Sequence, residues 1–516
     1  MSTTDEIAAW IAEHGPEGSG PDSVQWIQTH ISHVFLVGDR VYKLRKGVTL
    51  PFLDFGTRAA RNDDCVREVA LNRRLAPDVY LGIVSLHLEN GSLEVGPPQD
   101  DALDPDREHA VLMRRLPEGR DALALLEKGR LAPEQLERVA TRLARFHEEV
   151  GLGRPAPFSR EAWRERNVRP VLDCVETLNG TGVLGTDRLA RLEKVVREAV
   201  NALGPAFEER RLAGCAVDAH GDLHLDHVWF ETDDAAPLMV DCLEFDEALR
   251  RIDRASEVAF LAMDLAYRGR DDLAEFFLST YAAESDDYEL YRVVDYYAAY
   301  RALVRAKVAA LAANQTSVDP TQRSAARDSA LRHVDLAERL LDARGEGALV
   351  LTCGTVGSGK SSVARSRARS EGGVLLSSDR LRKRLAGLDV TDHGEREVDG
   401  GLYAPERREA VYEAMLERAD LVVSSGRVAI LDASFTRRAD RDRARAWAEK
   451  RGLEARLVEV RCDPKIAHDR LAARERAGDD PSDAGPDFLA TSIDRFEPPD
   501  EWPAEQQEVV RTDGPA

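Results

Sequence analysis

Residues Gly354-Thr-Val-Gly-Ser-Gly-Lys-Ser361 constrain the fold more than any other stretch, because they match the pattern G-x-x-x-x-G-K-[ST] in full. The apolar run 348–352 before them predicts a buried strand, and residues 362–368 predict the start of a helix. In that setting, backbone N–H groups surround phosphate oxygens at a helix N-terminus, where the helix dipole also favours an anion. The stretch therefore predicts a nucleoside-triphosphate site.

Each residue type in this loop has an expected task. Lys360 is expected to reach the β- and γ-phosphates of ATP, and Ser361 to ligate Mg²⁺. The remaining expected ATP-binding positions of the loop are Gly354, Gly357, Ser358, Gly359 and Ser362.

Composition limits the classes of protein to consider. The 516 residues suffice for roughly three globular units, and the hydrophobic fraction of 43% is ample for packed cores. The sequence contains no apolar run of about 18 residues, so no transmembrane helix is expected. Six scattered cysteines without a C-x-x-C pair favour a reducing cytoplasm over a disulfide or zinc framework. The net charge of −22 disfavours nucleic acid and anionic membranes as partners, although a local basic groove stays open.

The first 120 residues predict a sheet interrupted by one helix. Runs 29–37 and 40–45, joined by Gly-Asp, predict a hairpin; a helix over 61–75 and strands near 79–87 and 109–116 follow. This order is typical of the N-lobe of protein kinases. Lys43 would then contact the α- and β-phosphates, and Glu68 would hold it by an ion pair. Taken alone, either residue is more often a solvated surface charge.

Two acidic segments follow a mainly helical region that spans 121–215. Asp222 lies in the run 219–230, and Asp241 ends an apolar segment about ten residues further on. A magnesium-dependent phosphotransferase needs one carboxylate that takes the proton of the acceptor hydroxyl and another that holds the metal.

The run His220-Gly-Asp-Leu-His224 resembles the catalytic loop of aminoglycoside phosphotransferases and related protein-kinase-like kinases of small molecules. The resemblance covers roughly residues 28–310. It implies that Asp222 is the catalytic base, that Asp241 binds Mg²⁺ and that Met113 lies near the adenine-binding hinge.

His227 departs from that family's pattern, which usually has an asparagine as second metal ligand at this position. Imidazole is a poor ligand for Mg²⁺ compared with oxygen. Three interpretations follow: Asp226 substitutes, one Mg²⁺ suffices, or the site is weak or inactive. A transition-metal site of His220, His224 and His227 is less expected, because their spacing suits a helix and a loop is predicted here.

Two aspartates end predicted strands after the phosphate loop. Asp379 follows the strand at 373–378, and Asp432 ends the strand at 427–432 with the look of a Walker B carboxylate. Because open α/β sheets bind ligands at the carboxyl ends of their strands, both should face the phosphate loop. We expect Asp432 to join the Mg²⁺ shell, Asp379 to act as base and Arg382 to bind an anion of the acceptor.

The predicted helix 464–476 carries Arg470, Arg474 and Arg476. A run of arginines is usually a solvated helix face. A helix that follows the last strand of a P-loop kinase, however, is where a phosphate-clamping lid lies. Both interpretations stay open.

The second half resembles small P-loop kinases of hydroxyl groups: polynucleotide 5′-hydroxyl, zeta-toxin-like and gluconate-kinase-like enzymes. The whole chain resembles bifunctional aminoglycoside-phosphotransferase/ATP-binding proteins. This resemblance implies an α+β protein-kinase-like bilobal domain over 1–345, with an N-lobe at about 25–118 and a C-lobe at about 119–345. An α/β P-loop domain with a mainly parallel sheet would follow over 346–516.

These features together predict a cytoplasmic ATP- and Mg²⁺-dependent kinase with two nucleotide sites. The acceptor would be a hydroxyl of a small molecule or of a nucleic-acid 5′ end. The alternative is a regulatory protein with an inactive kinase-like domain and a P-loop ATPase switch. The sequence indicates neither the acceptor nor an oligomeric state.

Overall fold

A computed structural model describes residues 3–16, 24–50, 53–101, 104–315, 319–342, 345–388, 404–477 and 485–514. The chain forms two compact units. The first comprises residues 1–142, 146–157 and 214–261, and the second comprises residues 143–145, 158–213 and 262–516. Among the described residues, no helix combines the length and the apolar character that crossing a bilayer requires.

The first unit begins with a helix and an antiparallel sheet. The elements up to residue 114 are α1 (Thr4–His14), β1 (Val24–Gln28), β2 (Ser32–Val37), β3 (Arg40–Arg45), β4 (Thr49–Leu50), β5 (Leu53–Asp54), α2 (Arg58–Asn72), β6 (Tyr80–Glu89), β7 (Ser92–Val95) and β8 (Glu108–Arg114). Six of the strands form one sheet in the order β1-β2-β3-β8-β6-β7. The hairpin β2–β3 turns at Gly38, whose φ of 57° suits glycine. The predicted sheet, interrupted by one helix, is confirmed.

Helices dominate the middle of the chain. Its elements are α3 (Ala122–Glu127), α4 (Pro133–Glu149), α5 (Arg160–Thr181), α6 (Thr186–Leu212), β9 (Ala216–Asp218), β10 (Val228–Trp229), β11 (Leu238–Met239), α7 (Glu247–Arg250), β12 (Arg251–Asp253), α8 (Arg254–Tyr267), α9 (Asp271–Ser285), α10 (Val294–Ala313) and α11 (Pro320–Leu341). Short 3₁₀ turns occur at Leu225–His227 and Tyr288–Arg292. Ile252 pairs with Val217 in an antiparallel ladder, and α8 begins two residues later.

The C-terminal part is an α/β sheet with helices. Its elements are β13 (Ala348–Cys353), α12 (Lys360–Glu371), β14 (Val374–Ser377), α13 (Ser378–Leu385), α14 (Pro405–Ser424), β15 (Val428–Asp432), α15 (Arg438–Glu449), β16 (Glu454–Arg461), α16 (Pro464–Ala477), α17 (Asp487–Asp494) and β17 (Gln507–Arg511). The five strands are all parallel, in the order β14-β15-β13-β16-β17. The predicted fold class is confirmed.

Strand β17 was not foreseen. It pairs in parallel with β16, so the strand before α16 is not the last of the sheet. Residues 507–511 are mostly exposed and lack a buried apolar run, which is why their pattern does not predict a strand.

Within the second unit, helices before residue 345 pack on the sheet after it. The Leu375 backbone N–H donates to Ser279 Oγ (3.0 Å), and Tyr288 Oη donates to the Leu375 carbonyl (3.2 Å). The domain boundary at residue 345 stays a prediction. The contacts just described lie within the second unit and join residues on the two sides of that boundary.

Candidate active sites

The first site is assembled around Lys43 on β3. Its Nζ donates to Glu68 Oε1 on α2 (2.8 Å) and to Asp241 Oδ1 (2.7 Å). Burial opposes the lysine's charge, but Asp241 and Glu68 together raise the pKa of Lys43 well above its usual value. Lys43 is therefore a fixed cation at the position where the sequence predicts a phosphate contact.

A buried arginine that the sequence analysis did not single out supports this lysine. Arg45 donates to Asp64 (2.7 Å) and Glu68 (2.6 Å), and it also pairs with Glu244. Alternation along β3 places residues 43 and 45 on one face of the strand, which is the signal that could have identified Arg45. Burial raises the pKa of Glu244.

The loop that carries Asp222 is held by backbone contacts. Glu257 on α8 accepts hydrogen bonds from the N–H groups of His220 (2.8 Å) and Gly221 (3.0 Å). His220 Nε2 donates to the Val240 carbonyl (2.8 Å). Gly221 has a φ of 87°, a conformation that favours glycine. Glu257, another residue that sequence reasoning missed, thus fixes the path of the predicted catalytic loop.

Asp222 is ionised in this loop. Burial works against its charge, but a hydrogen bond from His224 holds the pKa of Asp222 below its usual value. Its carboxylate can therefore accept a hydrogen bond from an acceptor hydroxyl at neutral pH.

His227 links Asp222 to Asp241. Its Nδ1 lies 2.8 Å from the Asp222 carbonyl oxygen, and its Nε2 lies 3.6 Å from Asp241 Oδ2. Burial lowers the pKa of His227, which favours the neutral ring. Asp241 has a φ of 62°, an unusual value for a residue other than glycine.

His227 and Met113, two further predicted positions of this site, have different surroundings. His227 also forms, with Asp222 and His224, a group whose ligand-type atoms lie within 4.8 Å of one another. The 3₁₀ turn at Leu225–His227 brings these side chains together, where a regular helix was thought necessary. Met113 is partly buried near the end of β8, paired with Val41 and Tyr80; its proximity to adenine stays a prediction.

The second site is the turn between β13 and α12. A Cβ at Gly357 would lie 2.7 Å from the Ala467 carbonyl oxygen, and Gly359 adopts a φ of 90° as the N-cap of α12. Ser358 is fully buried, and its Oγ has no hydrogen-bond partner among the described residues. A narrow turn that only glycine fits, with a buried hydroxyl at a helix N-terminus, suits a phosphate group.

The strand ends bring the predicted carboxylates to this turn. Parallel pairing places Ser377 opposite Asp432, and Asp379 follows two residues later in α13. Burial raises the pKa of Asp432 to about 6, opposed by a hydrogen bond with Ser361, and the nearby Asp379 raises it further. Because Ser361 and Asp432 contact each other and offer only oxygen, this pair fits a hard cation such as Mg²⁺.

Lys360 is folded back on its own loop. Its Nζ donates to the Thr355 carbonyl (2.7 Å), and burial lowers the pKa of Lys360. Arg382 forms an ion pair with Asp379 one helical turn earlier. Ser362 is exposed at the start of α12.

Two of the three arginines of α16, Arg470 and Arg474, lie beside the phosphate loop. Arg470 donates to Thr512 Oγ1 (3.1 Å) and to the Thr512 carbonyl (2.6 Å), while Thr512 Oγ1 donates to the Ser358 carbonyl (2.7 Å). Arg474 is close enough to act on the charge of Lys360. The residues after β17 therefore tie Arg470 to the loop; no sequence signal indicated Thr512.

Comparisons with known proteins agree with this architecture. The family model described as "AAA domain" (AAA_33) matches residues 349–499. "Uncharacterized protein Rv2004c" of Mycobacterium tuberculosis is 34% identical over 464 residues, which cover 88% of this chain and 86% of that protein. "Uncharacterized protein Mb2027c" of Mycobacterium bovis matches to the same extent, with 34% identity over 464 residues.

Two kinases are among the solved structures with some likeness to this chain. A choline/ethanolamine kinase family protein from Mesorhizobium loti is 17% identical and covers 66% of this chain and 95% of its own, with a TM-score of 0.39. A gluconokinase from Sinorhizobium meliloti is 22% identical and covers 33% of this chain and 86% of its own, with a TM-score of 0.24. The identity to the mycobacterial proteins is the finding that assigns a family: the chain belongs to the same family as Rv2004c, and its residues 349–499 match the AAA_33 domain model.

Proposed function

We propose that the protein is an ATP-dependent phosphotransferase with two nucleotide sites that transfers the γ-phosphate of ATP to a hydroxyl group. One observation carries the proposal: Lys43 contacts both Glu68 and Asp241 within 2.8 Å. The lysine–glutamate pair of a kinase must be formed for catalysis, and here it is formed beside the carboxylate that follows the catalytic loop.

At the P-loop site, each step of the proposed phosphate transfer is assigned to a particular residue or backbone group. Loop N–H groups and Lys360 would bind the β- and γ-phosphates, once Lys360 exchanges its contact with the Thr355 carbonyl for a phosphate oxygen. Ser361 and Asp432 would hold Mg²⁺, which supplies charge neutralisation at the phosphates. Asp379 would accept the proton of the acceptor hydroxyl, and Arg382, already paired with it, would bind an anionic group of the acceptor.

At the first site, Lys43 would bind the α- and β-phosphates. Asp222 would orient the acceptor hydroxyl and accept its proton, because its carboxylate is ionised and its loop is fixed by Glu257. The acceptor we propose is a small hydroxyl-bearing molecule, because a net charge of −22 repels long nucleic acids. The described cysteines are all free, in line with the cytoplasmic location that we also propose.

The test is ATP consumption against a panel of aminoglycosides, sugars and 5′-hydroxyl oligonucleotides, with Lys360→Ala and Asp222→Ala as separate variants. We expect one acceptor to raise turnover, and we expect each variant to remove the turnover of its own site. Arg451→Ala, which changes a surface pair with Asp420, is the matched control. If no acceptor raises turnover above slow hydrolysis, the alternative of an ATP-driven switch replaces the kinase.

A further inference from the structure

The ring of His227 is held in one tautomer. Its Nδ1 lies 2.8 Å from the carbonyl oxygen of Asp222. A carbonyl oxygen can only accept a hydrogen bond, so Nδ1 carries the proton and donates it. Nε2 is therefore the ring nitrogen that is left to bind an ion.

That nitrogen faces a carboxylate. Nε2 lies 3.6 Å from Asp241 Oδ2, while the other oxygen, Oδ1, accepts a hydrogen bond from Lys43 at 2.7 Å. Two ligands on one ion, each bound at about 2.1 Å, stand roughly 3 to 4 Å apart, which is the spacing seen here.

The imidazole has little freedom to turn away. The His227 side chain is 16% exposed, and the ring of His224 lies 3.9 Å from it between centroids. The nitrogen donor is thus built into the site.

We propose that the first site binds its divalent ion through Nε2 of His227 and Oδ2 of Asp241, and that it therefore selects a first-row transition-metal ion over Mg²⁺. The proposal rests on the proposed nucleotide-dependent function of this site. Imidazole nitrogen binds transition ions well, whereas Mg²⁺ prefers oxygen ligands throughout. The P-loop pair of Ser361 and Asp432 offers only oxygen, so the two sites of one chain would differ in metal preference.

The test uses Mn²⁺ as a paramagnetic probe, in full-length protein with Lys360→Ala to silence the P-loop site. Pulsed electron paramagnetic resonance with a non-hydrolysable ATP analogue should show ¹⁴N coupling from a directly bound imidazole. His227→Asn should remove that coupling and reduce the preference for Mn²⁺ over Mg²⁺ by about tenfold. His87→Asn, which changes an exposed histidine of the same unit, should leave both unchanged.

The outcomes separate the metal proposal from the proposed function. A wild-type spectrum without ¹⁴N coupling, or one that survives His227→Asn, overturns the metal proposal even if the analogue binds. Coupling with Mn²⁺ alone, in protein that does not bind the analogue, supports the metal proposal and overturns the nucleotide function of this site. Absence of both overturns both.

Discussion

At the scale of single residues, the P-loop depends on glycines that leave no room for a side chain. Gly357 combines a φ of 74° with a close approach, since an added Cβ would lie 2.7 Å from the Ala467 carbonyl oxygen. Gly269 has nearly the same φ, 75°, but open space around its Cα. Comparing substitutions at Gly357 and Gly269 therefore separates the effect of backbone strain from the effect of steric exclusion.

Gly357→Ala is expected to weaken ATP binding at the P-loop by at least about tenfold, because α16 must move away from the loop to admit the methyl group. Gly269→Ala carries only the strain, about 1 kcal/mol, and should leave ATP affinity unchanged. Calorimetric titration of both variants with ATP makes the comparison. Equal ATP affinity in the two variants would show that the close approach does not matter.

Asp432 gives the P-loop site a pH dependence. Its pKa in the folded protein is raised to about 6, so the proton is bound more tightly than in the unfolded chain. The stability that this group contributes is therefore present at low pH and lost as pH rises from the ordinary aspartate pKa through about 6. Metal affinity changes with pH in the opposite direction: it rises as pH rises, because only the ionised carboxylate binds the metal.

We expect the Mg²⁺ affinity of the P-loop site to rise between pH 5 and pH 7, by up to about tenfold per pH unit below the pKa. Titration with Mg²⁺ and an ATP analogue in a Lys43→Met background isolates this site. In the Asp432→Asn variant, the Mg²⁺ affinity should be low and should not change between pH 5 and pH 7. A wild-type affinity that is constant from pH 5 to pH 7 would contradict the assigned role.

At the scale of elements, the turn before β15 is fixed by Arg427. Its side chain is 1% exposed and donates to Glu275 on α9 (2.9 and 3.0 Å) and to Asp295 on α10 (3.0 and 2.8 Å). The guanidinium also lies 4.9 Å from the Tyr291 ring centroid. One cation therefore joins two helices to the strand that ends in Asp432.

Arg427→Ala is expected to destabilise the second unit by about 3–5 kcal/mol, since it leaves two largely buried carboxylates facing each other. Urea unfolding followed by circular dichroism measures the change. Arg451→Ala, which removes an exposed pair with Asp420, should cost less than about 1 kcal/mol. Similar unfolding midpoints for the two variants would mean that Arg427 is not structurally important.

At the scale of the whole molecule, the P-loop sheet depends on contacts with residues that precede position 346 in the sequence. Strand β14 lies at the edge of the sheet, and its Leu375 is hydrogen-bonded to Ser279 and Tyr288 of the second unit. Helix α13 is tied to the same region through the pair of Arg380 with Glu284. A fragment that begins at residue 346 would lack these partners and expose a strand edge.

We therefore expect the amides of residues 374–377 to exchange hydrogen much faster in a 346–516 fragment than in the full chain. Strand β16, which lies between β13 and β17, should stay protected in both and serves as the internal control. Hydrogen exchange with mass spectrometry reads both strands. Equal protection of β14 in the fragment would show that residues 346–516 fold independently.

Much of the fold followed from local patterns. The phosphate loop needs its glycines at fixed offsets, so the motif at residues 354–361 determined the strand and helix around it. Alternation and turn residues predicted the hairpin β2–β3, and terminal carboxylates on two strands predicted that Asp379 and Asp432 lie near one edge. Each of these signals lies within about ten residues, the range over which backbone geometry is set by sequence.

The tertiary structure decided which charges are buried together. Arg45 and Glu244 are separated by 199 positions, and Arg427 and Glu275 by 152, so no local pattern connects them. In sequence, each resembles an ordinary surface charge, because burial depends on what packs against it. His227 shows both levels: its identity is visible in the chain, but only the folded loop fixes its proton on Nδ1 and directs Nε2 toward Asp241.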